Sequence, residues 1–153
     1  MAILKIVTKR EDEDFLRKKS REVTEITPKV LTLIDDMVET MRQANGCGLA
    51  AVQVGVLRRI VVIETEEGLF EFINPKIIAM SGQQTSEEGC LSIPNEWGVT
   101  VRPEHVTVRA LNRNGEVIEV TGHGLLAKAM CHELDHLDGI LYTDKVVKNT
   151  EEN

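Results

Sequence analysis

Residues 125–137 decide the fold, and they read Leu-Leu-Ala-Lys-Ala-Met-Cys-His-Glu-Leu-Asp-His-Leu. Their apolar positions recur at helical spacing, and Asp138-Gly139 follows as a helix stop. On a helical wheel of ~100° per residue, one face carries both histidines. The opposite face is apolar and consists of Leu126, Met130, Leu134 and Leu137. Because both faces suit burial, we predict a helix at the centre of the protein rather than on its surface.

His132 and His136 are four residues apart, in the pattern H-E-x-x-H. Residues at this spacing share one helical face, so both imidazoles can reach the same metal ion. Glu133 lies about 100° from His132 on the wheel, where it flanks the ion without being forced to bind it. The pattern therefore predicts a mononuclear metal hydrolase in which Glu133 handles protons. The alternative is a helix whose two histidines are satisfied by hydrogen bonds within the core.

A catalytic ion needs a third protein ligand, because such sites combine three protein groups with water. Cys90 is the best candidate for this ligand. It lies in residues 87–94, a loop-like stretch that ends in a proline, from which a thiolate could point at the helix. The alternative is that Cys90 is buried and inert.

The other histidines and cysteines are weaker ligand candidates. His123 immediately precedes the helix and stays open as a ligand, whereas His105 precedes a strand and is expected to be exposed. Cys131 points away from the metal face of the helix, so we expect it to pack in the core. The sequence leaves the role of Cys47 ambiguous.

The rest of the chain is predicted to consist mostly of strands joined by hairpins. One further helix begins at Thr27-Pro28, which suit the N-cap and the first helical position, and runs to about Ala44. Alternating or β-branched runs predict strands at 59–64, 69–73, 77–80, 105–112 and 117–120. This order predicts an α+β fold with antiparallel β-sheets packed around the central C-terminal helix. A chain of 153 residues has the usual size of one domain, so we expect a single catalytic domain over residues 1–153.

The composition argues against several classes of function. The net charge is −7, whereas a nucleic-acid-binding face needs a surplus of Lys and Arg. No apolar run approaches the ~20 residues of a membrane helix, and the N-terminus lacks the pattern of a signal peptide. The three cysteines form no disulfide framework, as expected in a reducing compartment. We therefore expect a cytoplasmic protein that binds neither nucleic acid nor a membrane, and we also expect a monomer.

Three motifs, in their order and spacing, resemble those of the peptide deformylase family. The pattern G-x-G-x-A-A-x-Q is matched by residues 46–53, E-G-C-L-S by residues 88–92, and H-E-x-D-H by residues 132–136. Shorter likenesses, such as Ile73-Asn74-Pro75, extend the resemblance over nearly the whole chain. Any one motif alone is weak evidence for the family, but the three motifs together are highly specific to it.

The resemblance implies that the protein removes the N-formyl group from nascent peptides that begin with formyl-methionine, near the ribosome, and releases formate. It implies that Cys90, His132 and His136 bind one divalent ion, usually Fe²⁺ in cells, with Zn²⁺, Ni²⁺ or Co²⁺ as substitutes. It also implies roles for other residues: acid/base chemistry for Glu133, polarisation of the formyl oxygen for Gln53 and the amide of Leu91, and contacts with the peptide for Gly48 and Arg102.

General chemistry agrees with these roles. A divalent ion lowers the pKa of bound water towards ~7, a carboxylate can carry the proton, and N–H donors stabilise an oxyanion. Leu125 and Ala129 share the metal face of the helix, so they should line a substrate-binding pocket for an unbranched apolar side chain. Lys128 borders that face, where an apolar residue is expected. Its stem can line the pocket while its ammonium reaches water.

The sequence gives less support to three other functions. A zincin-type endopeptidase shares H-E-x-x-H but needs a downstream third ligand, and no histidine follows His136. A structural or sensory metal site usually has four protein ligands, of which only His123 could be the fourth. A thiol-redox protein would need a C-x-x-C pair, which this sequence lacks.

Overall fold

A computed structural model describes residues 2–149 of the chain, which fold into three α-helices and eight β-strands. The helices are α1 (Lys9–Leu16), α2 (Pro28–Gln43) and α3 (Leu125–Leu137). The strands, in chain order, are β1 (Gly48–Ala50), β2 (Ile60–Thr65), β3 (Gly68–Ser81), β4 (Gln84–Cys90), β5 (Ile93–Arg102), β6 (His105–Leu111), β7 (Val117–His123) and β8 (Val146–Asn149). Within residues 2–149, no helix combines the length and the apolar character needed to cross a membrane.

The strands form two antiparallel sheets. The larger sheet has the order β1-β2-β3-β6-β7, and the smaller has the order β4-β5-β8. Strands β1 and β4 therefore each lie at the edge of a sheet, and both edges approach α3 at the site described below. The predicted α+β fold with antiparallel sheets around a C-terminal helix is confirmed.

The larger sheet separates two helices, and β2 shows why. Val61 and Ile63 pack in one core cluster with α3, whereas Ile60 and Val62 pack in a second cluster with α2. Successive side chains of a strand point to opposite faces, so a strand covered on both faces must be apolar throughout. The uninterrupted run Ile-Val-Val-Ile is the sequence signature of this burial.

Helix α3 lies in the centre of the protein, as its two apolar faces predict. Its buried residues belong to both faces and are Leu126, Ala127, Ala129, Met130, Cys131, His132, Glu133, Leu134, His136 and Leu137. The helix ends at Leu137, and Gly139 follows with a left-handed φ of +74°, a conformation that glycine adopts without strain. The boundaries of the helix thus agree with the predicted ones.

The hairpin that carries Cys90 differs from the prediction. Residues 87–94 were expected to form a loop, but Cys90 is the last residue of β4 and pairs with Ile93 of β5. The sequence of β4, Gln-Thr-Ser-Glu-Glu-Gly-Cys, has neither apolar alternation nor β-branched enrichment, and β5 escaped prediction as well. Pairing between the two strands, rather than local propensity, forms this hairpin.

Candidate active site

Three potential metal ligands meet where the end of β4 approaches α3. The Sγ atom of Cys90 lies 3.3 Å from Nε2 of His136, and the Nε2 atoms of His136 and His132 are also 3.3 Å apart. All three donor atoms lie within 4.8 Å of one another. One thiolate and two imidazoles, aimed at a common point, form a donor set that fits a single divalent transition-metal ion.

The two histidines are held firmly on one face of α3. His136 is fully buried and His132 nearly so. The ring of Tyr142 stacks beside the ring of His132, with centroids 5.9 Å apart and an angle of 26° between their planes. The four-residue spacing therefore brings the imidazoles together as predicted, and packing fixes their orientation.

Glu88 is a site residue to which the sequence analysis assigned no role. Its carboxylate accepts hydrogen bonds from Nδ1 of His132, from Oγ1 of Thr100 at 2.6 Å, and from the Nε and Nη2 atoms of Arg102 at 3.0 and 2.8 Å. Burial acts to raise the pKa of Glu88, but hydrogen bonds from His132 and Arg102 outweigh it and hold that pKa well below its usual range. A carboxylate that accepts from Nδ1 leaves Nε2 of His132 free to bind a metal.

One signal for Glu88 was available in the sequence. Glu88 and Cys90 are two positions apart, and residues at this spacing on a strand point to the same face. The signal has meaning only if residues 84–90 form a strand, which local propensity does not predict.

Arg102 lies behind the site rather than on its wall. Its side chain is only 5% exposed, and its Nη1 atom donates to Oδ2 of Asp135 at 2.8 Å while the rest of the guanidinium binds Glu88. Two carboxylates thus bind the guanidinium, and Arg102 is not among the residues that line the cavity described below. Its contact with the peptide backbone stays a prediction. Among the described residues, the hydrogen bonds of the Arg102 guanidinium go to Glu88 and Asp135, and none goes to Glu133.

Glu133 is buried beside the donor cluster. Its side chain is 5% exposed, its Oε2 atom lies 4.0 Å from Nε2 of His132, and its Oε1 atom has no hydrogen-bond partner among residues 2–149. Burial is the main cause that raises the pKa of Glu133 to about 7. A carboxyl group with this pKa can both accept and return a proton at neutral pH.

Gly48 lies directly against this carboxylate. A Cβ atom at position 48 would lie 2.5 Å from Oε2 and 2.9 Å from Cγ of Glu133, so a larger residue would have to displace this side chain. The glycine in the first motif therefore leaves room for the Glu133 carboxyl group beside β1.

A cavity of about 440 Å³ opens on the donor cluster. Its wall comes from β1 and the turn before it, from the β4–β5 hairpin and from α3. The predicted site residues on this wall are Gly48, Gln53, Cys90, Leu91, Leu125, Ala129, His132 and Glu133. Lys128 also lines the cavity, and its Nζ atom donates to Oγ of Ser86 at 3.1 Å and to the carbonyl of Glu87 at 2.9 Å.

Gln53 is held with its amide group towards the cluster. Its Oε1 atom accepts a hydrogen bond from the backbone N–H of Ala50 at 2.9 Å. Its Nε2 atom then lies 3.1 Å from Oγ of Ser92 and 3.6 Å from Sγ of Cys90. Because the oxygen is already engaged, the N–H groups are the part of the side chain that faces the site.

The remaining histidines and the buried thiol of Cys131 lie outside the cluster. His105 and His123 pair across β6 and β7, both exposed, with ring centroids 6.2 Å apart. Cys131 packs in the core beneath α3, as predicted, and burial raises its pKa to about 11. Cys47 is exposed and lines the cavity described above, but among the described residues the group of potential metal donors contains only Cys90, His132 and His136.

Three converging metal donors, a buried carboxyl group and an open cavity on an α+β scaffold are the features of a metal-dependent hydrolase. Comparisons with known proteins identify the family. Residues 3–152 match the profile of the polypeptide deformylase family. A peptide deformylase of Alkaliphilus metalliredigens is 53% identical over 148 residues, which cover 97% of this chain and 99% of that protein. A peptide deformylase of Acetivibrio thermocellus is 57% identical over 145 residues, covering 94% and 85% of the two chains.

Solved structures agree with the sequence comparisons. The crystal structure of a peptide deformylase from Ehrlichia chaffeensis, in complex with actinonin, superposes with a TM-score of 0.91 at 39% identity. The superposition covers 97% of this chain and 91% of that one. The chain therefore belongs to the polypeptide deformylase family, as its three motifs predicted. It is a metal-dependent hydrolase that removes the N-formyl group from nascent peptides.

Proposed function

We propose that the chain is a single-domain enzyme, spanning residues 1–153, that releases formate from peptides beginning with formyl-methionine. One observation carries the proposal: three metal-ligating atoms converge beside the buried carboxyl group of Glu133, on the wall of an open cavity. Structural metal sites are usually closed by four protein ligands, whereas three protein donors leave a position for water. This arrangement favours hydrolysis over a purely structural role for the ion.

Cys90, His132 and His136 are the proposed ligands of one divalent ion. Fe²⁺ is the proposed native metal, with Zn²⁺, Ni²⁺ or Co²⁺ as substitutes, because a thiolate with two imidazoles binds several such ions. When bound, a divalent ion supplies Lewis-acid activation of a water molecule at neutral pH. Glu88 contributes by fixing the tautomer and the orientation of His132.

Glu133 is the proposed acid and base. Its unpartnered Oε1 atom and its raised pKa suit a group that accepts a proton from the attacking water. The same group would return this proton to the amine nitrogen as the carbon–nitrogen bond breaks. Gly48 supports this role because it leaves space around the carboxyl group.

Gln53 and the backbone amide of Leu91 are the proposed donors to the formyl oxygen. The contact between Ala50 and Gln53 orients the side-chain amide before substrate arrives. Leu91 follows Cys90 directly in the turn between β4 and β5, so its N–H is close to the reacting centre. Donors that are already oriented stabilise the developing oxyanion without reorganisation.

The substrate is proposed to bind as an extended strand between the edges of β1 and β4. Edge strands have backbone groups that can pair with an added peptide, which is a common mode of peptide recognition. The methionine side chain would lie against Leu125 and Ala129, which line the cavity on the metal face of α3. Such substrates are made on ribosomes, so we propose that the enzyme acts in the cytoplasm, near the site of protein synthesis. We also propose that it acts as a monomer.

The test is a formate-release assay on a formyl-methionyl peptide, with metal content measured on the same preparation. The wild type should release formate in proportion to its bound metal. Glu133→Ala should keep the metal and the fold while its rate falls by 10²-fold or more, the usual contribution of a positioned acid/base. Glu133→Asp should also be slow, because its shorter side chain moves the carboxyl group away. A metal-loaded, folded Glu133→Ala protein with a near-normal rate would overturn the mechanism.

A further inference from the structure

Trp97 is a cavity residue that the proposed mechanism does not use. It is the single tryptophan of the chain, and it is 59% exposed. The large exposed apolar side chains of the described residues also include Ile3, Leu69, Ile78, Met80, Val117, Leu125 and Val147. Of this set, only Trp97 and Leu125 lie on the cavity wall. Single exposed apolar residues are ordinary, but a tryptophan on the wall of a substrate cavity is placed to contact substrate.

The ring of Trp97 is held over the end of β4. A Cβ atom at Gly89 would lie 2.6 Å from Cζ3 of the indole, so the ring covers the position immediately before Cys90. Only glycine at position 89 allows this packing. One part of the indole is thus fixed against the hairpin, and the exposed remainder is available to a ligand.

The path of an extended peptide determines which substrate residue meets this ring. Successive side chains of a strand point to opposite sides and are spaced about 3.3 Å apart along it. If the methionine side chain points towards Leu125 and Ala129 of α3, the next side chain points away from them. It would then point towards the open side of the cavity, where the exposed part of Trp97 lines the wall. The ring of Trp97 covers Gly89, the neighbour of the proposed ligand Cys90.

We infer that Trp97 is a specificity-determining residue that contacts the side chain following the formyl-methionine and favours an apolar, above all aromatic, residue there. This inference rests on the proposed function, because it requires a formyl-methionyl peptide in the cavity. Aromatic side chains gain from ring-to-ring contact in addition to burial, whereas a serine at the same position gains neither.

The test compares metal-loaded enzymes on the peptides formyl-Met-Phe and formyl-Met-Ser. The wild type should prefer the phenylalanine peptide by about tenfold in kcat/KM. Trp97→Ala should reduce this preference to less than about twofold, and Trp97→Phe should retain most of it. Met80→Ala is the matched control, because Met80 is also 59% exposed but lies on β3 outside the cavity wall, and it should keep the full preference. The ratio of two rates on one preparation does not depend on the fraction of active enzyme.

A second measurement uses the fluorescence of the single tryptophan in the metal-loaded wild type. Titration with the product peptide Met-Phe should change its emission at lower concentration than titration with Met-Ser. Equal rates on the two peptides, or a Trp97→Ala variant that loses activity on both without a change in their ratio, would overturn the inference. So would a preference that depends on the third residue instead of the second. These failures are distinct from a wild type that releases no formate from any of the peptides, which would overturn the proposed function itself.

Discussion

Replacing Glu88 with glutamine tests whether a buried carboxylate holds His132 for metal binding. In the native protein this carboxylate accepts four hydrogen bonds, from His132, Thr100 and two nitrogens of Arg102. Glutamine keeps the shape but replaces one acceptor oxygen with an NH₂ donor. Whichever way the amide is turned, this donor faces other donors. Asp135 is then the remaining carboxylate that compensates the charge of Arg102.

The expected loss of unfolding free energy follows from the burial of the ion pair between Glu88 and Arg102. Removing one partner of a buried ion pair costs about 3–5 kcal/mol of unfolding free energy. Because Asp135 stays within 2.8 Å of Arg102, we expect the lower end, about 3 kcal/mol. For a domain of this size that loss lowers Tm by roughly 6–12 °C. Loss of the partner that orients a metal-binding histidine should also weaken metal affinity by about 10–100-fold.

The assay combines urea unfolding of the metal-loaded protein with competition against a chelator. Glu64→Gln is the matched control, because it makes the same substitution in a largely exposed pair with Arg42. An exposed pair contributes at most about 1 kcal/mol, and this one lies outside the cavity wall, so metal affinity should not change. If Glu88→Gln matched Glu64→Gln in both stability and metal affinity, the proposed role of Glu88 would be wrong.

Three further outcomes are expected. Cys90→Ala should lose the ion and the activity together, whereas Cys131→Ala should keep both; one ion per chain in the Cys90 variant would exclude that thiol as a ligand. The ferrous enzyme should release formate fastest and lose activity in air as iron and thiolate oxidise, and equal, air-stable rates for the iron and zinc forms would contradict this expectation. Lys128→Ala should keep the rate on formyl-methionyl peptides within about tenfold, or ~1.4 kcal/mol, because its ammonium is bound by Ser86 and Glu87; a hundredfold loss would show direct contact with substrate.

The sequence predicted those elements whose signals, such as apolar spacing, caps and stops, lie within the element itself. Helix α3 was predicted with its boundaries because apolar spacing and the Asp138-Gly139 stop act within a few residues. Helix α2 likewise begins where Thr27 accepts a hydrogen bond from the N–H of Val30. Strands β4 and β5 were missed because the polar sequence of β4 forms a strand only through its partner.

The sequence by itself determined which residues can share a metal ion on α3, because spacing along a helix fixes the face on which a side chain lies. It also determined the family, since three motifs in order rarely occur together. Only the tertiary structure decided that Cys90 reaches His136 across 46 positions of chain, that Glu88 orients His132, and that Arg102 faces inward. Contacts between residues so distant in sequence depend on how the β4–β5 hairpin packs against the helix. That packing is a property of the whole fold, which no local pattern contains.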